Sequence, residues 1–223
     1  MTIILHSASI DAPWFDEKMS YWISQLNIQE KQRYTSMKNK RKQKQMLLSR
    51  ALLAQALTKF DCTLEGAYVI INYSTLVLVN TVQTFSISIT HSGTMAAIAL
   101  SPQSLKLGID IEQIKARDFI ALSKEICTKS ELTLLHERNN IHHEFYQLWT
   151  AKESLAKASQ CSLILLYQCD CSNVLTSDKG MVHWNGTNYH FNHINIQGYK
   201  GTIVANEAQE ITYGMNHVNK EYQ

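Results

Sequence analysis

Three carboxylates and two lysines pose the first question. In residues 105–114, LKLGIDIEQI, Leu105, Leu107, Ile109 and Ile111 alternate with Lys106, Gly108, Asp110 and Glu112, the period of a half-buried strand. Side chains two apart on a strand share a face, so Asp110 and Glu112 stand side by side and repel unless a cation compensates them. From Asp110 to Glu153 is 43 positions. Glu153 and Lys157 lie four apart in the helical stretch HHEFYQLWTAKESLAKAS, residues 142–159, where such pairs are neighbours. Hard carboxylate oxygens with few histidines nearby suit Mg²⁺, which keeps waters and substrate phosphates as its other ligands. Lysines beside it would face those phosphates. By spacing alone, the common reading of Glu153 and Lys157 is an ordinary exposed ion pair. Lys152 falls inside the apolar stripe of Phe145, Leu148, Trp149, Leu155 and Ala156; it is either a snorkelling side chain or an ammonium directed into a partly buried anionic site.

The elements that must position these groups follow from periodicity. Residues 14–34 are amphipathic at mostly helical spacing, and KNKRKQKQMLLSRALLAQALTKF (38–60) predicts a helix that begins basic and continues apolar. YVIINYSTLVLV, FSISIT, MAAIAL and LKLGIDIEQI are β-rich runs punctuated by HSGT and SPQS, which predicts an antiparallel meander with Asp110 and Glu112 on its last strand. Helical signals return through 117–158, with a break near Asn139 and Asn140, and residues 163 to about 213 are strand-like with turns at DKG, NGT and NEAQ. The order helix, strands, helix, strands predicts an α+β protein of antiparallel sheets packed with helices, in two halves, 1–104 and 105–223, divided at SPQS.

The 223 residues are 45% hydrophobic and 18% charged with a net charge of +2, which excludes a disordered chain and names no polyanionic partner. Five cysteines, an odd number, do not read as a disulfide framework. There is no signal peptide and no membrane span, so the expected setting is the cytoplasm. Cys161, Cys169, Cys171, His183, His190 and His193 match no paired zinc-ligand spacing. The basic run Lys31, Arg33, Lys38, Lys40, Arg41, Lys42 and Lys44 is open to three readings: a solvated helix face, a nucleic-acid patch, or an anion-binding surface. Sparse aromatic interleaving and the low net charge argue against nucleic acid.

Taken together, the motifs resemble the 4′-phosphopantetheinyl transferase superfamily, in its larger, surfactin-synthetase-type group. That family carries a (V/I)G(V/I)DxE strand and, some forty residues on, a (F/W)xxKExxxK helix. Here these are Leu107-Gly108-Ile109-Asp110-Ile111-Glu112 and Trp149-Thr150-Ala151-Lys152-Glu153-Ser154-Leu155-Ala156-Lys157. A Ser/Thr-His-Ser-Gly turn precedes them as Thr90-His91-Ser92-Gly93, and the alignable stretch covers about residues 85–158. The resemblance implies two similar α+β halves related by a pseudo-two-fold axis, complete as a monomer. It implies that Asp110, Glu112 and Glu153 bind Mg²⁺ with the pyrophosphate of coenzyme A, the co-substrate, and that Glu153 is the base for the attacking hydroxyl. Lys157 would contact the phosphates, Thr90 and His91 would line the cofactor, and Lys152 belongs to the motif with a less defined cofactor role. The implied reaction is transfer of 4′-phosphopantetheine to a serine of an acyl- or peptidyl-carrier protein, releasing adenosine 3′,5′-bisphosphate, in fatty-acid, polyketide or nonribosomal-peptide assembly. Some cations of the basic run would bind the 3′-phosphate and others attract an acidic carrier.

Three departures qualify the resemblance. The family's Gly-Lys-Pro loop has no counterpart, because residues 70–84 hold no lysine, glycine or proline. The glycine-rich turn after Lys157 is Ala158-Ser159-Gln160-Cys161, and Arg-Phe-Phe is replaced by Glu125-Ile126-Cys127 although Glu131 is retained. These leave open an alternative: a family member that binds coenzyme A or a carrier without efficient turnover.

Overall fold

A computed structural model describes residues 2–64, 68–71, 74–78, 83–138 and 140–214. They form two compact units, residues 2–104 with 210–214, and residues 105–209.

In the first unit, β1 (Thr2–Ser9) is followed by α1 (Pro13–Glu17), α2 (Met19–Gln25), α3 (Ile28–Ser36) and α4 (Lys40–Leu57), then β2 (Tyr68–Ile71), β3 (Thr75–Leu78), β4 (Gln83–Ser92) and β5 (Met95–Ser101). With β10 (Glu210–Tyr213) they make a sheet of order β10-β1-β5-β4-β3-β2. All pairings in it are antiparallel except β1 with β10. The apolar part of α4, including Leu47, Leu48, Leu52, Leu53 and Leu57, packs with Ile4, Phe15, Ile87, Ile98 and Leu100 into one core. Polar heads that break the amphipathic 14–34 stretch explain its division into short helices: Asn27 caps α3, accepting from Glu30 N at 2.9 Å, while the Glu30 carboxylate accepts from Asn27 N.

In the second unit, β6 (Leu107–Gln113), α5 (Phe119–Ile126), α6 (Lys129–His136), α7 (Ile141–Ser159) and α8 (Leu163–Leu166) precede β7 (Lys179–Trp184), β8 (Thr187–Ile196) and β9 (Tyr199–Ala205). The sheet order is β6-β9-β8-β7, antiparallel throughout. Leu148, Ala151, Leu155 and Ala158 of α7 pack with Val182, Tyr189, Phe191 and Val204 beneath the helix.

The α+β expectation holds: both units pack largely antiparallel sheets against helices. Four expectations change. β6 does not close the upstream meander; it hydrogen-bonds to β9 in the other sheet, because alternation specifies a strand and not its partner. The apolar N-terminus, weighed only as a leader, is the strand β1, buried along its middle between β10 and β5. Residues 210–213, expected in the 105–223 half, pair with β1 instead. The last third also opens helically, with α8 and a 3-10 turn at Ser172–Leu175, before its strands begin. Part of the 70–84 stretch, including 72–73 and 79–82, lies outside the described residues, as does Asn139.

Candidate active site

Close approach of α7 to β6 organises the site. A Cβ on Gly108 would sit 1.9 Å from Ser154 O and 2.8 Å from Ala158 N, so only glycine admits the helix at this distance. The strand face that Gly108 turns to α7 is the face carrying Asp110 and Glu112. One turn of helix beyond Glu153, Lys157 Nζ donates to Asp110 Oδ1 at 2.9 Å and to Ile109 O at 2.8 Å. That ammonium is the compensation the strand required. Asp110 is 6% exposed, and such a desolvated carboxylate gains more from a neighbouring charge than a surface one does.

Glu153 faces the same cluster. Burial pushes its carboxyl above the ordinary carboxylate range; Asp110 and Glu112 push the same way and Lys157 opposes them. The three carboxylates therefore act within one another's field. A carboxyl so placed holds a proton more readily than a surface glutamate, which is what a general base needs on accepting one.

Cross-strand register supplies neighbours that the sequence did not reveal. Thr202 stands opposite Asp110, and Lys200 opposite Glu112. Thr202 Oγ1 meets Thr150 Oγ1 of α7 at 2.9 Å, and Ser154 Oγ donates to Thr202 O at 2.8 Å, clamping helix to sheet behind the carboxylates. His193 Nδ1 lies 3.1 Å from the same Thr202 hydroxyl while its Nε2 is 2.9 Å from Val174 O. Lys200 donates to Asn195 Oδ1 at 3.0 Å, and burial holds its ammonium below the usual lysine range. No local pattern marks Lys200 or Thr202, since both owe their places to the pairing of β6 with β9.

Lys152 has a different place from either expectation. It is 0% exposed. Its Nζ pairs with Glu131 Oε1 at 3.0 Å and donates to Leu166 O at 3.0 Å and Cys169 O at 2.8 Å. An ammonium has three hydrogens, so none is left for a phosphate. Glu131 is satisfied in turn: Oε2 accepts from Thr128 N at 2.7 Å and Oε1 from Cys171 N at 2.7 Å. The pair holds α7 to α6 and to the segment after α8. The same buried acid, after burial itself, helps push the Cys127 thiol up to about 12.

The structure thus brings Asp110, Glu112, Glu153 and Lys157 together on one face of the second unit and sets Lys152 in its core. Thr90, buried, and His91, exposed, belong to β4 of the first unit, with His91 opposite Ala96. His142 and His143 are exposed at the start of α7. As a donor set, Asp110, Glu112 and Glu153 have the hard-oxygen chemistry of a divalent-cation site. Among the described residues no three His, Cys, Asp or Glu side chains converge closely enough to hold a metal ion; in this arrangement the Lys157 ammonium neutralises Asp110. Nor is any described helix long and apolar enough to cross a membrane.

Comparison with known proteins falls on this unit. Residues 106–204 match the profile of the 4′-phosphopantetheinyl transferase superfamily. A Haemophilus influenzae protein named "Putative 4'-phosphopantetheinyl transferase" is 32% identical over 82 residues, which is 35% of this chain and 35% of that protein.

Proposed function

We propose that this chain, whose residues 106–204 match the profile of the 4′-phosphopantetheinyl transferase superfamily, belongs to that superfamily and transfers 4′-phosphopantetheine from coenzyme A to a serine of an acyl- or peptidyl-carrier protein, as an enzyme of the larger, surfactin-synthetase-type group. The observation that carries the reading is the Asp110–Lys157 contact at 2.9 Å beside Glu153, inside the matched segment. In this reading the serine hydroxyl attacks the β-phosphorus, the bond from that phosphorus to the bridging oxygen breaks, and adenosine 3′,5′-bisphosphate leaves. Glu153 takes the hydroxyl proton, directly or through a water, helped by its raised affinity for protons. Lys157 stands next to Asp110 as a cation for the phosphate oxygens, and Thr90 and His91 are coenzyme A contacts. Asp110, Glu112 and Glu153 would hold Mg²⁺, which when bound supplies charge neutralisation to the pyrophosphate. Positioning and electrostatics then carry the catalysis, with no covalent enzyme intermediate.

Lys38, Lys40 and Lys42 make no ion pair among the described residues; Lys40 and Lys42 lie in the first turn of α4 and Lys38 just before its cap, where the helix dipole disfavours cations. An anionic partner, the 3′-phosphate or an acidic carrier, relieves that cost. All five cysteines are free, in keeping with a reducing cytoplasm, and the proposed working form is a monomer without a nucleic-acid or membrane partner.

The missing lysine of 70–84 favours a second reading, binding of coenzyme A or carrier without efficient turnover. One assay decides. The protein, coenzyme A, Mg²⁺ and an apo carrier domain are incubated and the carrier is weighed by mass spectrometry. A phosphopantetheine adduct is expected; its absence on both fatty-acid and peptide-synthetase carriers overturns the transferase reading.

A further inference from the structure

The basic segment of α4 divides by what its side chains hold. Lys44 is tied to Asp16, Nζ to Oδ1 at 2.9 Å. Arg41 is committed elsewhere: its Nε donates to the carbonyl of Gly93 at 2.7 Å. Gln45, one turn further along α4 and 6% exposed, donates Nε2 to the same carbonyl at 3.0 Å. A carbonyl has two lone pairs, and α4 occupies both.

Gly93 stands at the turn between β4 and β5 with φ of +57°, in the left-handed region that glycine enters without steric cost. The next carbonyl, Thr94 O, accepts from Ile10 N at 2.8 Å, so both carbonyls of the turn are held. The platform beneath is itself fixed. Asn39 Oδ1 caps α4 through Lys42 N at 3.1 Å, and Gln43 Nε2 donates to Tyr34 O at 2.8 Å and Met37 O at 2.9 Å. A hairpin tip otherwise samples several turn geometries; this one is tied by two side chains of one helix. Exposed His91 is the penultimate residue of β4, two residues before the glycine.

We infer that Arg41 and Gln45 are positioning residues, which act on coenzyme A through His91 by fixing the turn that presents it. The inference rests on the proposed reading of His91 as a contact to the anionic end of coenzyme A. Only the Nε–H of Arg41 is spent on the backbone carbonyl, and its four Nη hydrogens remain.

A double-mutant cycle tests it. Arg41→Ala and Gln45→Ala are each combined with His91→Ala in the full chain, and KM for coenzyme A, kcat and KM for the carrier are measured alongside thermal melts. Each single variant is expected to raise KM for coenzyme A, by about tenfold for the charged donor, with kcat and carrier KM little changed. In the His91→Ala background neither is expected to raise it further. A merely structural role would lower the melting temperature without this split. An additive rise in the His91→Ala background overturns the inference, because Arg41 would then touch the cofactor itself; so does an unchanged KM in both single variants. A wild-type chain that neither transfers nor binds coenzyme A, by calorimetry, overturns the parent reading and this one with it, and is told apart by failing before any variant is made.

Discussion

Lys152 and Lys157 lie on one helix, five positions apart, and lead opposite lives. Lys152 points into the core, where a carboxylate and two carbonyls take its three hydrogens. Lys157 stands at the edge, its side chain 32% exposed, over the buried Asp110 carboxylate. Both make ion pairs near 3 Å, so distance does not separate them. Their surroundings do: the first pair is saturated and can accept no ligand, whereas the second lies beside a further carboxyl whose proton affinity is raised. A lysine in a motif is therefore not by that fact a lysine in a site.

The largest effect should come from the saturated side. Lys152→Ala leaves Glu131 charged and buried, and is expected to cost about 3–5 kcal/mol, read by denaturant unfolding. Lys152→Met with Glu131→Leu should recover most of that loss. If the double variant is fully stable but inactive, the contrast between the lysines breaks.

Asp110→Ala should do the reverse, lowering the transfer rate by about a hundredfold or more while the melting curve moves little. An unchanged initial rate would remove Asp110 from the site. Gly108→Ala joins the two regions: its methyl meets Ser154 O and must separate β6 from α7. It should destabilise by about 1–3 kcal/mol and also slow transfer, with both measured on the same preparation.

Glu153→Gln sharpens the comparison through pH. The folded chain raises the Glu153 pKa above its unfolded value, so the stabilising contribution is complete below the ordinary carboxylate range and is lost as pH rises through the raised value. At neutral pH the wild type carries the penalty, and Glu153→Gln should unfold at slightly higher denaturant while losing activity. The stability difference should vanish at acid pH. Smallest of all, Gln160 ends α7 with φ of +54°, in the left-handed region that glycine enters without steric cost. Gln160→Gly should stabilise by about 1 kcal/mol, seen as a small rise in melting temperature.

What was legible follows the range of the forces involved. The alternation of 105–114 specified a strand, and the stripe of 142–159 a helix, because both patterns are local. The meeting of Asp110 with Lys157 was legible only through the motif, since nothing in the residues gives the distance across 47 positions. Lys152 was readable in principle. Its place in the apolar stripe signalled burial, and Thr128-Lys129-Ser130-Glu131 is a capping box that anchors a carboxylate nearby; the two signals were not joined. The sheet to which β6 belongs, and the role of β1, were not readable. Each depends on a partner strand far along the chain, β9 for one and β10 for the other.

That last pairing also orders the molecule's birth. Thr2–Leu5 leave the ribosome before the second unit, yet Glu210–Tyr213, their parallel neighbours, emerge only after residues 105–209. The first sheet must wait with its β1 edge unpaired while the second unit is made. A strand edge in that state is open to wrong pairing, and the arrival of β10 is what closes it.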